Sequence, residues 1–362
     1  MRTTYYGLLD KLKLQVKRGI VHAVNAPQVR RAILNQVEPR REESLRAISN
    51  LPGPYAAGEQ RIRTRFRQDI VFVTGRFRSG STALWNAFRQ LEEVTAYYEP
   101  FNERRFFDKD ARGDGVDPTH RGVTNYALEY DTTSGLAELY EQDWTRRSLY
   151  MDADAWNPKM LRFIERLVEC APGRPVLQFN RVDFRLPWLR AQFPAAKIVH
   201  LWRNPREQWC SVIGDLSRFP YDAPPANFPD RFYQSTWEND LRHTMPFLRI
   251  EENAHPYRLF YLLWKTSWLF GRQYASTSIA YESLVADPAR TLGELADTIN
   301  LEASAATRMH SAISESHTVR WADYADASWF ESHERACEVL LDEFFGAAKD
   351  ATGRNAMTEN QQ

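Results

Sequence analysis

The sequence predicts an α/β fold in which helices wind doubly around an open, mostly parallel sheet. Short runs of apolar and β-branched residues, typical of buried strands, alternate with stretches of helical periodicity. The first such run, residues 70–73, leads directly into a glycine loop and then a helix. Hydrophobic residues make up 43% of the 362 residues, which is enough for a substantial core. Repeated strand–helix pairs of this kind are the pattern of parallel sheets.

The individual elements follow from the same patterns. After the loop at 75–80, Leu84, Trp85 and Phe88 share one face of a helix that begins at Ser81. Residues 104–174 are predicted to be loop-rich at first and helical around 134–169. The other predicted elements are strands at 176–179, 197–202 and 277–281, helices at 186–193, 205–216, 256–275 and 289–299, and an irregular excursion at 218–232.

Charge divides the chain into regions. Residues 1–68 carry fourteen Lys and Arg against five Asp and Glu, a balance of +9, although the whole chain has no net charge. Apolar residues from Tyr5 to Val24 recur at helical spacing and leave lysines on the other face, which predicts a basic amphipathic helix. This helical extension could pack on its own domain or dock on an anionic membrane or a partner. Residues 69–348 form the predicted α/β domain, with 104–174 as a helical insert, and 349–362 form a polar tail.

The composition argues against several classes of protein. A net charge of zero does not suit a globally basic nucleic-acid binder, so no nucleic-acid partner is expected. The three cysteines are scattered and never form a Cys-x-x-Cys pair, which favours a reducing compartment over a disulfide scaffold or a thiolate zinc site. No run approaches the roughly 18 apolar residues of a membrane-spanning helix, and the start lacks a secretion signal. We therefore expect a soluble, cytoplasmic protein.

The glycine loop has the spacing of a phosphate-binding loop. Residues 75–82, GRFRSGST, resemble the nucleotide-binding pattern G-x-x-x-x-G-K-[ST], with Ser81 in place of the lysine. Backbone N–H groups of such a loop, with the N-terminus of the following helix, cradle an anion. A nucleoside triphosphate needs the missing lysine and a metal ion, and no apolar strand ends in an aspartate suited to magnesium. The loop therefore predicts an anion smaller than a triphosphate, with Arg78 supplying positive charge.

A family resemblance rests on this loop and three further segments. Residues 78–84, RSGSTAL, resemble the 5′-phosphosulfate loop of sulfotransferases that use 3′-phosphoadenosine 5′-phosphosulfate (PAPS), in the form of their carbohydrate-modifying and bacterial branches. The segments FPAAKIVHLWRNP at 193–205, YESL at 281–284 and YEPF at 98–101 also resemble family motifs. The resemblance covers residues 70–103 and 175–300, and its specificity comes from the conjunction of the motifs.

The resemblance implies a donor site that takes PAPS as co-substrate, without a metal ion. In the family, the basic residue at the position of Arg78 contacts the transferring sulfuryl group, and the next four residues bind the 5′-phosphate. An arginine and a serine eight residues later, here Arg203 and Ser211, grip the 3′-phosphate, and the tyrosine at the position of Tyr281 faces adenine. The expected donor-binding residues are Arg76, Arg78, Ser79, Gly80, Ser81, Thr82, Arg203, Ser211, Tyr281 and Arg320.

Two departures from the family pattern affect this set. Cytosolic small-molecule sulfotransferases carry an adenine-stacking tryptophan where this chain has Ala83, so Trp209 or Trp321 is expected to take that role. The family's glycine-rich C-terminal phosphate loop is not visible, and Arg320 lies where it would be, as a candidate 3′-phosphate ligand. Residues 104–174 are assigned to acceptor recognition.

Arg78 and Glu99 are the predicted catalytic residues. The Arg78 guanidinium keeps its proton and is expected to stabilise charge on the leaving phosphate. Glu99 is predicted at the end of a strand beside the loop, where a carboxylate can take the proton of a hydroxyl; an ordinary surface glutamate is the alternative. Arg181 and Asp183, just beyond a strand end, are predicted pocket residues.

The histidines show no metal-ligand spacing, in agreement with a metal-free site. His120, in the insert, is the next candidate for the base. His200 lies in the middle of a predicted strand and is expected to be a core residue with a satisfied ring. His310 and His317 are predicted at the surface.

These observations predict a sulfotransferase that moves a sulfuryl group from PAPS to a hydroxyl of a carbohydrate, glycolipid or other small molecule. A P-loop kinase with a hidden metal site and a non-catalytic scaffold on the same fold are the alternatives. Residues 1–25 carry a net charge of +4 and are predicted to add weak contact with the inner membrane surface.

Overall fold

A five-stranded parallel sheet organises the part of the chain that the structure describes. The structure is a computed structural model that describes residues 67–112, 123–251, 253–313 and 319–358, with side chains to residue 346. The strands are β1 (Val71–Thr74), β2 (Val94–Tyr98), β3 (Arg174–Phe179), β4 (Lys197–Trp202) and β5 (Thr277–Ala280). They lie in the order β2–β3–β1–β4–β5, and every pairing is parallel. The predicted α/β class with a parallel sheet is confirmed.

Helices connect the strands and cover the sheet. The α-helices are α1 (Ser81–Phe88), α2 (Leu136–Leu139), α3 (Pro158–Cys170), α4 (Leu186–Gln192), α5 (Pro205–Ile213), α6 (Gln234–Leu241), α7 (Pro256–Tyr274), α8 (Tyr281–Ala286), α9 (Pro288–Thr298), α10 (Ala303–His310), α11 (Trp321–Tyr324) and α12 (Ala327–Thr358). Short 3₁₀ turns lie at Leu128–Thr132, Gln142–Thr145, Asp183–Arg185, Pro225–Asn227, Arg231–Tyr233 and Pro246–Leu248. Helix α12 continues into the predicted polar tail.

The centre of the sheet is fully buried, as its apolar sequence predicts. Val71, Phe72 and Val73 of β1 have no exposed surface, and the Phe72 ring meets Phe193 with ring centres 5.2 Å apart. Strands with helices over both faces have no polar face, so their side chains do not alternate between apolar and polar. The continuous apolar runs in the sequence are therefore the signature of central strands.

Several helices begin with a polar cap followed by proline. The side chains of Asn157, Asn204 and Asp287 each accept a backbone N–H from the first turn of α3, α5 and α9. The proline that follows each cap lacks an N–H and has a backbone angle suited to the first helical position. These three local signals place the helix starts, and α5 ends at Ile213 because Gly214 takes a φ of 78°.

The structure corrects two predicted elements. Residues 146–157 lie outside any helix, so the predicted helix around 134–169 is in fact α2, a 3₁₀ turn and α3, with Pro158 opening the last of these. Strand β2, which carries Glu99 at its end, was not among the bounded strand predictions. Residues 1–66, His120 and His317 lie outside the described residues.

The strand order places a crevice at the carboxyl ends of the strands. The chain moves from the central β1 to β2 and β3 on one side, and then to β4 and β5 on the other. Ligands of open α/β sheets bind beyond the carboxyl ends of the strands at such a switch point. Among the described helices, none is long and apolar enough to cross a membrane.

Candidate active site

A cleft of about 630 Å³ opens at the carboxyl ends of the strands. Each of the five strands is followed by residues that line it: the loop after β1, Glu99 after β2, Asn180 after β3, Arg203 after β4 and Tyr281 after β5. Segments that are far apart in sequence therefore meet in one place, as the parallel topology requires.

The loop between β1 and α1 has two residues in the left-handed region. Arg78 has a φ of 69° and Gly80 a φ of 94°. A Cβ on Gly80 would lie 2.3 Å from the Tyr281 ring, so both the backbone angle and the contact require glycine. This turn brings the N-terminus of α1, beginning at Ser81, to the cleft.

The two hydroxyls at the start of α1 are held by side chains at the ends of β2 and β3. Ser81 Oγ donates to Asn180 Oδ1 at 2.9 Å, and Thr82 Oγ1 shares a hydrogen bond of 3.1 Å with the Tyr98 hydroxyl. Both side chains line the cleft. Burial raises the pKa of the Tyr98 hydroxyl well above its ordinary value, and the nearby Glu99 carboxylate adds to the effect, so this hydroxyl keeps its proton.

Two pairs of predicted donor-binding residues meet across the cleft. Arg78 Nε donates to Ser211 Oγ at 3.0 Å, although 133 positions separate them in sequence. The Arg203 guanidinium lies 5.0 Å from the centre of the Tyr281 ring. The structure therefore brings Arg78, Arg203, Ser211 and Tyr281 to one cavity.

The side chains of Arg76 and Ser79 lie beneath the loop and do not line the cleft. Arg76 is 5% exposed, and its Nη1 is 3.4 Å from Asp183 Oδ2. Ser79 is fully buried, and a Cβ added to Gly75 would come within 2.6 Å of its Oγ. We therefore remove both side chains from the predicted donor contacts; Asp183 is likewise a partner of the buried arginine and not a pocket residue.

The predicted C-terminal and adenine-stacking residues also lie elsewhere. Arg320 Nη2 donates to the Gly214 carbonyl at 2.6 Å, at the end of α5, and the residue does not line the cleft. Trp209 is 1% exposed within the core, and Trp321 packs against the Arg206 guanidinium at 5.2 Å. Neither tryptophan lines the cleft, so these expectations are corrected.

Glu99 lies at the cleft with both carboxylate oxygens engaged. Its Oε1 accepts from Asn180 Nδ2 at 2.5 Å, and its Oε2 accepts from Arg181 Nη1 and Asn102 Nδ2, both at 2.6 Å. The residue is 6% exposed. The alternative of an ordinary surface glutamate is therefore wrong.

The residues around Arg181, namely Phe77, Glu103, Phe232 and Tyr233, form what we call the β2 side of the cleft. Sequence reasoning missed most of them. Arg181 Nη2 donates to Glu103 Oε2 at 2.6 Å, and the Tyr233 hydroxyl donates to the other Glu103 oxygen. The Phe77 and Phe232 rings stack with centres 5.1 Å apart. Arg181 was singled out by its position alone, whereas nothing in the periodicity of 218–232 places its aromatic residues at the cleft.

Arginines dominate the charge of this cavity. Four arginines and two glutamates line it, a balance of +2. Burial raises the pKa of Glu103, but Arg181 and the Tyr233 hydroxyl outweigh this effect and leave the pKa below its usual value. Arginine stays protonated under ordinary conditions, so the cavity suits an anionic ligand.

Backbone outliers also concentrate here. Of the eight non-glycine residues with positive φ in the described part of the chain, four line the cleft: Arg78, Glu99, Phe232 and Tyr233. Side chains in this conformation cost free energy, and proteins retain such strain mostly at binding and catalytic sites.

The histidines play no part in the described cavity. His200 is 2% exposed, and its Nδ1 forms a hydrogen bond of 2.8 Å with Ser278 Oγ, which confirms a satisfied core histidine. Within the described residues, no cluster of His, Cys, Asp and Glu could hold a metal ion.

Comparison with solved structures returns bacterial sulfotransferases. A sulfotransferase from Alicyclobacillus acidocaldarius is 14% identical, with 76% of this chain and 94% of that chain covered and a TM-score of 0.36. A sulfotransferase from Mycobacterium avium is 12% identical, with 77% and 76% covered and a TM-score of 0.40. A search of curated proteins finds no match.

A family model gives the broader assignment. The model described as the sulfotransferase family matches residues 70–305, about two thirds of the chain. The matched span contains the glycine loop at 75–80, Glu99, Arg203 and Tyr281, which the fold gathers around one arginine-rich cleft. The residues that line the cleft thus lie largely within the span that the family model matches, and the chain belongs to the sulfotransferase family.

Proposed function

We propose that this sulfotransferase moves a sulfuryl group from PAPS to a hydroxyl of a carbohydrate or glycolipid acceptor. The observation that carries the proposal is the meeting of Arg78, Arg203, Ser211 and Tyr281 with the N-terminus of α1 in one cavity. A nucleotide with phosphates at both ends of its ribose needs two separate cationic positions and an aromatic surface. This set of side chains offers all three.

The residues present fit such a donor. The α1 N-terminus and the hydroxyls of Ser81 and Thr82 suit a 5′-phosphate. Arg203 and Ser211 suit the 3′-phosphate, and the buried Arg203 Nε has no hydrogen-bond partner among the described residues. The Tyr281 ring offers an aromatic surface to adenine. PAPS, when bound, supplies an activated sulfuryl group whose leaving group is a phosphate.

Arg78 and Glu99 are assigned the chemical roles. Arg78 lies in the anion loop with a permanent positive charge, where it can stabilise negative charge that develops during transfer. Glu99 takes the proton of the acceptor hydroxyl, while Arg181, Asn180 and Asn102 fix the orientation of its carboxylate. Neither role requires a metal ion.

The β2 side of the cleft is assigned to the acceptor. Phe77, Phe232 and Tyr233 supply aromatic surface, and Glu103 supplies a carboxylate that can accept hydrogen bonds from hydroxyls. A sugar ring has apolar C–H faces and several hydroxyl groups, so it matches such a mixture. Of the predicted insert 104–174, Arg104, Phe106, Val123 and Tyr126 line the cavity.

Nucleotide binding provides the test of donor identity. A charge-assisted contact to phosphate is worth about 1.5–3 kcal/mol, or roughly 10- to 150-fold in affinity. Arg203→Ala should therefore weaken binding of 3′,5′-adenosine bisphosphate by that factor and leave binding of adenosine 5′-monophosphate nearly unchanged, as measured by calorimetry. Equal losses for both nucleotides would contradict the assignment.

Turnover separates the enzyme from its alternatives. Transfer from PAPS to a panel of glycosides, unaffected by a chelator, is the expected result. Magnesium-dependent transfer from ATP would indicate a kinase, and donor binding without turnover on a broad acceptor panel would indicate a scaffold.

A further inference from the structure

The Glu207 carboxylate lies beside the cleft and has no role in the proposed reaction so far. It is 3% exposed. Its Oε2 accepts from Arg203 Nη2 at 3.3 Å, and its Oε1 accepts the backbone N–H groups of Arg320 at 2.7 Å and Trp321 at 3.0 Å. The Glu207 side chain therefore joins Arg203 to a segment that begins 113 positions after Glu207 in the sequence.

Helix capping does not account for these contacts. Glu207 is the third residue of α5, where a glutamate commonly accepts the backbone N–H of the cap residue. Here the Asn204 N–H donates instead to Glu282 Oε1 at 2.9 Å, and the Asn204 side chain caps the helix. The Glu207 carboxylate is directed away from its own helix start, toward Arg203.

Arg203 has few other contacts that fix its guanidinium. The Tyr281 ring lies 5.0 Å from the guanidinium carbon, but a ring face permits rotation of the planar group above it. The Arg203 carbonyl accepts from Trp264 Nε1 at 3.0 Å, which holds the backbone and not the side chain. The hydrogen bond to Glu207 is directional and sets the orientation.

We propose that Glu207 is a positioning residue that orients Arg203 toward the 3′-phosphate of the donor nucleotide. The inference rests on the proposed function, which assigns that phosphate to Arg203. Two effects oppose each other: the Glu207 charge weakens the attraction of Arg203 for any anion, whereas the fixed orientation favours a phosphate at one place. The two backbone N–H groups on Oε1 offset part of the charge, so orientation dominates.

Substitution by glutamine separates these effects. In Glu207→Gln, the amide oxygen can still accept the N–H groups of Arg320 and Trp321, but the amide nitrogen then faces another donor on Arg203. The variant therefore keeps the contact with the backbone of Arg320 and Trp321 and loses the hydrogen bond that orients Arg203. Glu207→Asp keeps the charge with a shorter reach. Glu334→Gln is the matched control, because Glu334 pairs with Arg206 of the same helix at 2.7 Å and does not contact Arg203.

The readout is discrimination, the Kd for adenosine 5′-monophosphate divided by the Kd for 3′,5′-adenosine bisphosphate. Ordering one long side chain is worth about three- to tenfold in affinity, so Glu207→Gln should lower this ratio by that factor. Glu207→Asp should give an intermediate ratio, and Glu334→Gln the wild-type ratio. Thermal unfolding of each variant shows whether the fold is intact. Should Glu207→Gln fail to fold, the Glu207→Asp ratio decides.

Other results overturn the inference. An unchanged or higher ratio in Glu207→Gln would show that charge outweighs orientation. An equal loss for both nucleotides with a lower melting temperature would show a structural role. If wild-type protein does not prefer the bisphosphate and Arg203→Ala makes no difference, the proposed function fails and the inference fails with it. If wild-type protein clearly prefers the bisphosphate but the Glu207 variants keep the same ratio, the inference fails and the proposed function stands.

Discussion

Glu99 has a positive φ, and its carboxylate accepts hydrogen bonds from three side chains. A general base typically contributes about 10²- to 10⁴-fold to the rate, and glutamine cannot take a proton. Glu99→Gln should therefore turn over at least about a hundredfold more slowly and bind 3′,5′-adenosine bisphosphate normally. Steady-state kinetics and calorimetry on the same preparation check both parts.

The control for this variant is Glu103→Gln. Both glutamates pair with Arg181, so both variants remove a partner of the same buried guanidinium. A rate loss of less than tenfold is expected for Glu103→Gln, because that residue is assigned to acceptor binding. Near-normal turnover by Glu99→Gln would move the base elsewhere, with His120 the next candidate.

His200 makes the stability of the protein sensitive to acid. Burial, together with the nearby Arg272 charge, lowers the pKa of His200 to about 4. Between pH 6.5 and 4 the unfolded chain takes up this proton and the folded protein does not, so the free energy of unfolding falls as pH falls. The full effect of one such group is about 3 kcal/mol.

Urea denaturation at several pH values tests this coupling. His200→Asn should lose less stability than wild type between pH 7 and pH 4.5. His255, whose pKa burial lowers to about 3, adds its own acid sensitivity to both proteins, so the comparison rests on the difference between them. If the free energy of unfolding falls equally with pH in wild type and His200→Asn, His200 is not a source of the acid sensitivity.

At the scale of elements, the loop before α1 depends on Gly80. An alanine there would meet both an unfavourable φ and the Tyr281 ring. Gly80→Ala should lower the free energy of unfolding by about 1–3 kcal/mol and reduce affinity for 3′,5′-adenosine bisphosphate. Chemical denaturation and calorimetry measure the two effects.

Gly293 provides the opposite case. It lies inside α9, and a Cβ added there would meet no heavy atom within 4 Å from the described residues beyond its neighbours in the helix. Gly293→Ala should raise the free energy of unfolding by about 0.4–1 kcal/mol, since alanine favours the helix and restricts the unfolded chain. If both glycine variants destabilise the protein equally, the special role of Gly80 is refuted.

The sequence alone predicted the elements whose bounds are marked by neighbouring residues, such as an apolar run or a helix cap. The bounds of β4 agree with the predicted 197–202, because four of its six residues are apolar and a capped helix follows it. The predicted helix around 134–169 was too long, since Leu149 and Met151 are buried through tertiary contacts without helical backbone. Periodicity cannot distinguish these two origins of burial.

The candidate site shows the same division between local and long-range information. The glycine loop and the placement of Arg203 at a strand end were predictable from neighbouring residues. The direction of a side chain was not: Arg76 and Arg78 are two positions apart, yet one lies beneath the loop and the other lines the cleft. Arg78 also has a left-handed φ, of which the sequence carries no sign.

At the scale of the whole molecule, the basic segment 1–25 remains a prediction outside the described residues. We propose that it gives the enzyme weak contact with an anionic membrane surface, which would suit a lipid-linked acceptor. With about 1 kcal/mol for each basic residue near such a surface, binding should be salt-sensitive. Co-sedimentation with phosphatidylserine vesicles should fall when residues 1–25 are deleted. If the intact protein ignores these vesicles at low salt, the segment has no such role.

The central position of β1 has a consequence for synthesis on the ribosome. Val71 pairs with Val176 of β3 and with Lys197 of β4, so the first strand of the described sheet is the one that waits longest for its partners. At about 5–20 residues per second, its two edges stay unpaired for roughly 5–20 s before β3 is made. An apolar strand with open edges is a template for aggregation. Slow translation between residues 75 and 175 should therefore lower the yield of this protein, and chaperone binding to β1 should raise it, even where the stability of the finished fold is unchanged.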